Sequence, residues 1–230
     1  LRRALGRLIG EGTGRRPSRA LLAELGVLGL TAPEDLGGMG MAAVEAAAIC
    51  REMGQRGVPG PLVEHLALLP VLADSPYASQ VETAIQARSR ITCAPKSAPV
   101  PDAERADVVV RVDGPSVLIV ESPECAPLRS VDGSRRVFSV RGSVVPIHAS
   151  GESLHDHAAV YTAATLLGLA QRMLDMAVAY AKDRRQFGKP IGTFQAVQHH
   201  LANALLALKF AEPAVMRAAW GLSTGHPDAS

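Results

Sequence analysis

The stretch "YAKDRRQFGKPIGTFQ", from Tyr180 to Gln195, decides how the last third of this sequence folds. Apolar residues recur at spacings of three and four on both sides of it, and this periodicity predicts one helix before it and another after it. Glycine, proline and glycine within the stretch predict a tight turn. We therefore expect two long antiparallel helices of a bundle, joined by a hairpin turn.

The side chains of this turn go beyond what a turn needs. Arg184, beside Gln186 and the amides of the glycines, has the chemistry to hold a phosphate or pyrophosphate through charge-assisted hydrogen bonds. The plainer interpretation, which spacing alone favours, is that an arginine at a helix C-terminus complements the helix dipole. Phe187 also has two interpretations, because its ring could pack either on a planar ligand or in the core beside the turn.

The first part of the chain has a helical pattern from Leu1 to about Ala87, interrupted by turns rich in glycine and proline. Ser18 is the predicted N-cap of one helix, and Gly54 is the predicted C-cap of another. Four glutamates of this part are expected to be solvated surface carboxylates: Glu24, Glu45, Glu52 and Glu64.

The period changes between about Arg90 and Ser150. The segment "ADVVVRVDGPSVLIVE" predicts two strands joined at Asp113-Gly114, and "RRVFSVRGSVVPI" predicts two more around Gly142. Beyond this region the helical pattern returns, with Pro213 predicting a kink or an end in the last helix.

The sequence thus predicts a mainly α fold with a small β-domain. We expect an N-terminal helical domain at residues 1–88, a middle β-domain at 89–150 and a C-terminal helical bundle at 151–230.

Charge, hydropathy and cysteine content argue against several classes of function. A net charge of +2 excludes the broad basic field of a non-specific nucleic-acid-binding protein, and no window approaches the roughly 20 apolar residues of a membrane span. Cys50, Cys93 and Cys125 are odd in number, widely separated and without a metal-ligand spacing, which favours a reducing cytoplasm and argues against a metal site.

Two stretches carry a family resemblance. "DRRQFGKPIGTFQAVQHHLANALLALKFAEPAVMRAAW" resembles the C-terminal helical domain of the acyl-CoA dehydrogenase family, whose motif R-x-x-F-G-x-x-I/L-x-x-x-Q precedes a helix of small residues. "LLAELGVLGLTAPEDLGGMG" resembles the family's N-terminal signature and stands in the right order. The resemblance implies helical, β and four-helix-bundle domains, with only the first two long bundle helices within this sequence, and dimers of dimers with FAD at a subunit interface.

The resemblance also assigns cofactor-binding residues. Arg184 would reach the FAD pyrophosphate of the neighbouring subunit, Gln195 is the interface glutamine, and Gln186 and Phe187 lie where the family touches that flavin. The implied partners are an acyl-CoA substrate, an electron-accepting flavoprotein, and either further copies of this chain or a second acyl-CoA dehydrogenase-like subunit.

Two departures from the family pattern bear on activity. The family's flavin-ring and substrate stretch, T-E-P-x-x-G-S-D, is replaced in a short β-region by "ITCAPKSAPVPD", which keeps only Pro95 and has Cys93 and Ala94 in place of the hydrogen-bonding pair. The family's glutamate base falls beyond Ser230, and its alternative position falls near Ala158, where no carboxylate stands. We therefore assign no catalytic residue to this chain and expect a partner to supply the base.

Three functions fit the sequence, and we favour the first of them over the two alternatives. The first is a subunit of an FAD-dependent acyl-CoA dehydrogenase in which two unequal chains share one flavin site and act on fatty or steroid acyl-CoA. The second is a self-assembling acyl-CoA dehydrogenase with further C-terminal helices, and the third is an inactive scaffold subunit.

Overall fold

The chain begins with helices, continues as a sheet and ends in helices. The structure is a computed structural model that describes residues 17–58, 60–133 and 135–225. Its order of elements confirms the predicted class, mainly α with a small β-region.

The N-terminal helices form the larger core. They are α1 (Arg19–Glu24), α2 (Ala43–Gln55), α3 (Leu62–Ala73) and α4 (Ala78–Ile85). Ser18 caps α1 as predicted, because its Oγ accepts a hydrogen bond of 3.1 Å from the Leu21 amide. Helix α3 is apolar on most sides, since Leu66, Leu68, Leu69 and Leu72 are all fully buried.

The middle region is a five-stranded sheet. Its strands are β1 (Ile91–Pro95), β2 (Val100–Pro101), β3 (Val108–Asp113), β4 (Ser116–Leu128) and β5 (Val137–Ile147). They lie in the order β1-β3-β4-β5-β2, with β1 parallel to β3 and the other pairs antiparallel. The sheet curls until its two edge strands meet, and the Thr92 hydroxyl donates to the Pro101 carbonyl at 2.8 Å.

The two faces of the sheet pack on different cores. Val110 and Ile119 point into the helices and belong to the larger core. The opposite face encloses a small second core of six residues: Ala94, Val100, Ala103, Val109, Val120 and Phe138.

One strand prediction is confirmed and one is wrong. The turn at Asp113-Gly114 is present, because Asp113 pairs with Ser116 across it. No turn forms at Gly142, which lies inside the continuous strand β5. Gly142 has a φ of +155° opposite a register shift in β4, and a Cβ there would lie 2.7 Å from the Glu121 carbonyl oxygen. The glycine therefore permits a β-bulge that bends the strand pair.

Two long helices follow, α5 (Gly151–Asp183) and α6 (Gln195–Thr224), and they confirm the predicted helical pair. Helix α6 runs through Pro213, so the predicted end of the helix at that residue is absent. Pro213 lies on the exposed side of α6, where water can hydrate the carbonyl group that loses its amide partner.

Helices α2 and α5 cross at very short range. A Cβ on Gly54 would lie 2.1 Å from the Thr165 carbonyl oxygen, and a Cβ on Gly168 would lie 1.9 Å from the Arg51 carbonyl oxygen. Gly54 is therefore a packing residue inside α2, and its prediction as a C-cap is wrong. The C-cap is Arg56.

The prediction of solvated glutamates holds for only part of the set. Glu24 and Glu45 are exposed. Glu52 is 8% exposed and accepts two hydrogen bonds from the Arg56 guanidinium, at 2.6 and 2.9 Å. The Glu64 side chain is 15% exposed and lies 3.5 Å from the Arg135 guanidinium. Burial raises the pKa of Glu64, and the helix packing around α3 is the cause that periodicity alone did not reveal.

The described residues include neither a membrane-spanning helix nor a cluster of metal-ligating side chains. Within residues 17–58, 60–133 and 135–225, no helix has the length and apolarity needed to cross a bilayer. In the same part of the chain, no cluster of three or more histidine, cysteine, aspartate or glutamate residues is arranged to hold a metal ion.

Candidate functional site

The turn between α5 and α6 has a fixed backbone. Arg184 follows the last residue of α5, its amide donates to the Tyr180 carbonyl at 2.9 Å, and its own carbonyl accepts from the Ile191 amide at 2.8 Å. Between these bonds lies a two-stranded hairpin, in which β6 (Arg185–Gln186) pairs antiparallel with β7 (Lys189–Pro190). The position of Arg184 is thus set by main-chain contacts on both sides.

The Arg184 side chain is exposed at this corner. No other described residue forms a hydrogen bond or an ion pair with its guanidinium group, whereas the neighbouring Arg185 donates to the Gly188 carbonyl at 3.5 Å. A guanidinium carries five N–H donors in a planar fork that matches phosphate oxygens. Because no described residue occupies them, the five donors of Arg184 suit the binding of an anion.

Phe187 is at the tip of the hairpin. Its side chain is 92% exposed, so the interpretation of this ring as a core residue is wrong. Its φ of +52° is unusual for a bulky residue and turns the ring outward. The ring contacts Phe194 edge to face, with centroids 6.2 Å apart, and the Lys189 ammonium lies 4.6 Å from the Phe194 centroid. The tip therefore presents an aromatic ring with a cation nearby.

The two glutamines lie at the same end of the helical pair. Gln186 is in the hairpin and donates from Nε2 to the Arg185 carbonyl at 2.8 Å. Gln195 is the first residue of α6, is exposed, and follows Phe194, an N-cap residue without a side-chain hydrogen bond. The first amides of a helix have no partner within it, and the positive end of its dipole favours anions. All four predicted cofactor-binding residues thus belong to one corner.

The charge of the corner suits an anionic ligand. Residues 182–189 hold four cations and one anion: Lys182, Arg184, Arg185, Lys189 and Asp183. A local cluster of this kind attracts phosphate groups even in a chain whose overall charge is small.

The end of strand β1, which corresponds to the family's flavin-ring stretch, departs from the family pattern. The side chains of Cys93 and Ala94 are each 6% exposed, and burial raises the pKa of the Cys93 thiol. The turn that follows β1 is held by Arg111, whose Nη1 donates to the Pro95 and Ala98 carbonyls at 3.1 and 2.6 Å. The sequence motifs do not predict this role of Arg111. Its signal was a charged residue in the middle of "VVVRVD", an otherwise apolar strand.

No catalytic base is evident at the position that the family offers on α5. Ala158 is half-buried against the larger core and carries no ionisable group. His65 is fully buried in the N-terminal helices, and its Nε2 lies 2.8 Å from the Leu28 carbonyl. Burial lowers the pKa of His65 to about 4, so this imidazole is a neutral core group.

The two long helices leave apolar faces uncovered. Large exposed side chains on them are Leu166, Met173, Met176, Tyr180, Leu205, Leu206, Phe210 and Trp220. A cavity of about 420 Å³ opens between the helices and is lined by Gln171, Leu174 and Leu205 among others. Exposed apolar faces of this extent are typical of surfaces that pack against further protein.

Two family models match the chain in the order of its elements. The acyl-CoA dehydrogenase N-terminal domain matches residues 12–74, and the acyl-CoA dehydrogenase C-terminal domain matches residues 152–230.

Curated relatives agree with these matches. Acyl-CoA dehydrogenase IpdE2 of Mycolicibacterium smegmatis is 33% identical over 201 residues, which are 86% of this chain and 63% of IpdE2. IpdE2 of Mycobacterium tuberculosis is 32% identical over 199 residues, with the same two shares. This chain therefore spans less than two thirds of the length of these relatives.

Solved structures share the fold. A variant of the Tcur3481–Tcur3483 steroid ACAD superposes with a TM-score of 0.78 at 23% identity, covering 100% of this chain and 75% of that one. The ChsE4–ChsE5 complex of Mycobacterium tuberculosis gives a TM-score of 0.73 at 22% identity, covering 97% and 73%. With both terminal domains matched in sequence and the helix–sheet–helix order matched in structure, this chain belongs to the acyl-CoA dehydrogenase family.

Proposed function

We propose that this chain is a subunit of an FAD-dependent acyl-CoA dehydrogenase, and that Arg184, Gln186, Phe187 and Gln195 form its part of a flavin site shared with a second chain. The observation that carries the proposal is the Arg184 guanidinium, which is held on a fixed backbone at a basic corner and has no hydrogen-bond or ion-pair partner among the described residues. A free charged donor of this kind suits the pyrophosphate of a dinucleotide.

The other three residues have supporting roles in this proposal. The exposed Phe187 ring would stack on a planar part of the cofactor. Gln195, at the uncapped start of α6, would donate from its amide side chain beside the helix N-terminus. Gln186 would add a neutral donor next to Arg184 once its contact with the Arg185 carbonyl is exchanged.

The reaction we propose is the α,β-desaturation of an acyl-CoA thioester. A base removes the α-proton, a hydride leaves the β-carbon, and the bound flavin supplies the acceptor for that hydride. An electron-accepting flavoprotein would then reoxidise the cofactor. The described part of this chain has no carboxylate at the base position on α5, so we assign the base to the second chain.

The second chain that we favour is a different acyl-CoA dehydrogenase-like subunit. Similar structures include the Tcur3481–Tcur3483 steroid ACAD and the ChsE4–ChsE5 complex, whose names give two components. The uncovered apolar faces of α5 and α6 suit such a partner. By the same comparison we propose a bulky acyl-CoA, either a steroid side chain or a fatty acyl group, as the substrate. Three free cysteines favour a reducing cytoplasm as its location.

The visible spectrum of bound flavin tests this function. The chain is purified alone and together with an acyl-CoA dehydrogenase-like chain encoded beside its gene, and each sample is scanned for flavin absorbance. Flavin in the pair alone, with loss on Arg184→Ala, is the expected result. Flavin in the isolated chain favours a self-assembling dehydrogenase. Flavin that the Arg184→Ala pair retains with unchanged affinity favours a scaffold subunit and contradicts our assignment.

A further inference from the structure

Arg111 is a buried cation on an interior strand of the sheet. It lies on β3 and is 8% exposed. Its guanidinium donates to three carbonyl groups, those of Pro95 at 3.1 Å, Ala98 at 2.6 Å and Val140 at 3.3 Å. No salt bridge to a carboxylate of the described residues accompanies these bonds. Because burying a charge without hydrogen bonds is costly, the three carbonyls are what allow Arg111 to occupy this place.

These bonds fold the turn between β1 and β2 over the end of the sheet. Pro95 and Ala98 are the two ends of that turn, and the Ala98 amide also donates to the Pro95 carbonyl at 2.9 Å. The Lys96 amide donates to the Val112 carbonyl at 2.8 Å. Four separate polar groups of the turn therefore have their partners within this chain, and they are not available to the edge of a planar ligand.

The space beneath the turn is occupied as well. The small second core lies there, and Val100, Val109 and Phe138 are each no more than 2% exposed. The preceding β1 residues, Cys93 and Ala94, are buried too. A three-ring flavin system could reach this strand end only if the turn opened and Arg111 gave up its carbonyl partners.

We propose that Arg111 is a positioning residue that keeps this end of the sheet closed, so that the chain takes no isoalloxazine ring on its own sheet. The proposal rests on the proposed function: the chain would offer the basic corner for the pyrophosphate, and the other chain would hold the ring. Two ends of one cofactor are thus assigned to two different polypeptides.

Amide hydrogen exchange on the unmodified complex gives the first test. Amide hydrogen exchange of the complex is measured once in the presence and once in the absence of FAD. The peptides that cover residues 183–195 and 93–101 are followed in both samples. Protection of 183–195 with no change at 93–101 is expected. Protection at 93–101 would overturn the closed sheet end. No protection at 183–195 would contradict the proposed function instead, so the two failures are distinct.

Arg111→Met tests the residue itself. Removal of the charged donors should speed exchange of the Lys96 and Ala98 amides by at least about tenfold, in line with the loss of a charge-assisted hydrogen bond. The affinity of the complex for FAD should stay within about twofold, because the turn is not part of the flavin contact. Unchanged exchange, or a shifted flavin absorption band, would show that the role assigned to Arg111 is wrong.

Two further variants keep this test decisive. Arg141→Met removes an exposed arginine of the same sheet and should change neither the exchange nor the FAD affinity. If Arg111→Met does not fold, Arg111→Lys serves in its place, because an ammonium keeps the charge but cannot reach three carbonyls as a planar fork does. In Arg111→Lys we expect faster amide exchange at residues 93–101 with the FAD affinity retained. Amide exchange equal to that of the wild type would refute the positioning role of Arg111.

Discussion

Gly54 of α2 and Gly168 of α5 lie at one helix crossing, and each brings its own helix onto the backbone of the other. The Cβ that either residue lacks would fall within 2.1 Å of a carbonyl oxygen on the opposite helix. The crossing joins the N-terminal helices to α5, the helix that Arg184 directly follows. An ion pair between Arg51 and Glu212, 3.1 Å apart, links α2 to α6 as well.

Gly168→Ala should therefore destabilise the protein, although alanine is the better helix former. The added methyl group clashes with main-chain atoms that have no rotamer to escape to, and we expect the free energy of unfolding to fall by about 1–3 kcal/mol. Urea denaturation measures it. Gly133→Ala is the matched control, since a Cβ there meets no atom within 4 Å. Equal midpoints for the two variants would contradict the tight crossing.

Arg184→Ala should weaken FAD binding without weakening the fold. The guanidinium is exposed and has no partner in the part of the chain that the structure describes, so its loss removes only a charge-assisted contact with the ligand. Such a contact is worth about 1.5–3 kcal/mol, which corresponds to roughly a 10- to 150-fold rise in Kd. Flavin fluorescence titration of the complex measures the change. Arg172→Ala, at another exposed arginine of α5, should leave the Kd unchanged. A similar loss in both variants would point to general electrostatics and away from a specific site.

The variant Phe187→Asn distinguishes a role of this ring in FAD binding from a role in the stability of the fold. Asparagine tolerates the left-handed backbone, and a ring that is 92% exposed contributes little to the core, so the melting temperature should stay within about 2 °C. Loss of the ring should still lower the affinity for FAD. Thermal unfolding and the fluorescence titration are read on the same sample. A large fall in melting temperature would show that the ring has a structural role.

His65 predicts a loss of stability in mild acid. Its folded pKa is lowered to about 4, so the unfolded chain, with a histidine pKa near 6.5, binds the proton more readily. Stability is therefore fully present above about pH 6.5 and is lost as the pH falls towards 4, with about 2 kcal/mol lost between pH 7 and pH 5. Urea unfolding at the two pH values measures this.

His65→Gln is the control for the acid effect, because it keeps a donor for the Leu28 carbonyl and cannot titrate. Glu64 has a raised pKa and acts with the opposite sign, since its contribution grows as the pH falls. The difference between wild type and His65→Gln isolates the histidine. The assignment fails if the variant loses as much stability as the wild type between pH 7 and pH 5.

Local sequence was sufficient where local forces decide the structure. The helical pair around the turn and the hairpin at Asp113-Gly114 follow from periodicity and from glycine at a turn, both of which are short-range signals. The errors lie where distant parts of the chain meet. Gly54 resembles a cap until Thr165 is found against it, and Gly142 resembles a turn until its partner strand β4 is seen to bulge.

The candidate site also has a part that local sequence predicts and a part that depends on contacts between distant residues. The basic corner is contiguous in sequence, so a single motif locates Arg184 through Gln195. The Arg111 guanidinium bonds to carbonyl groups that are 13, 16 and 29 residues away from it in the sequence. No pattern of apolar spacing predicts such contacts. An arginine in an apolar strand signals only that some partner exists.

The main-chain hydrogen bonds around Arg184 have a consequence for association kinetics. A corner whose shape is fixed by its own hairpin needs no ordering when another molecule arrives, so little conformational entropy is spent at that moment. Encounter and capture can then occur in a single step, and differences in residence time among variants of this corner should reflect how fast the complex dissociates.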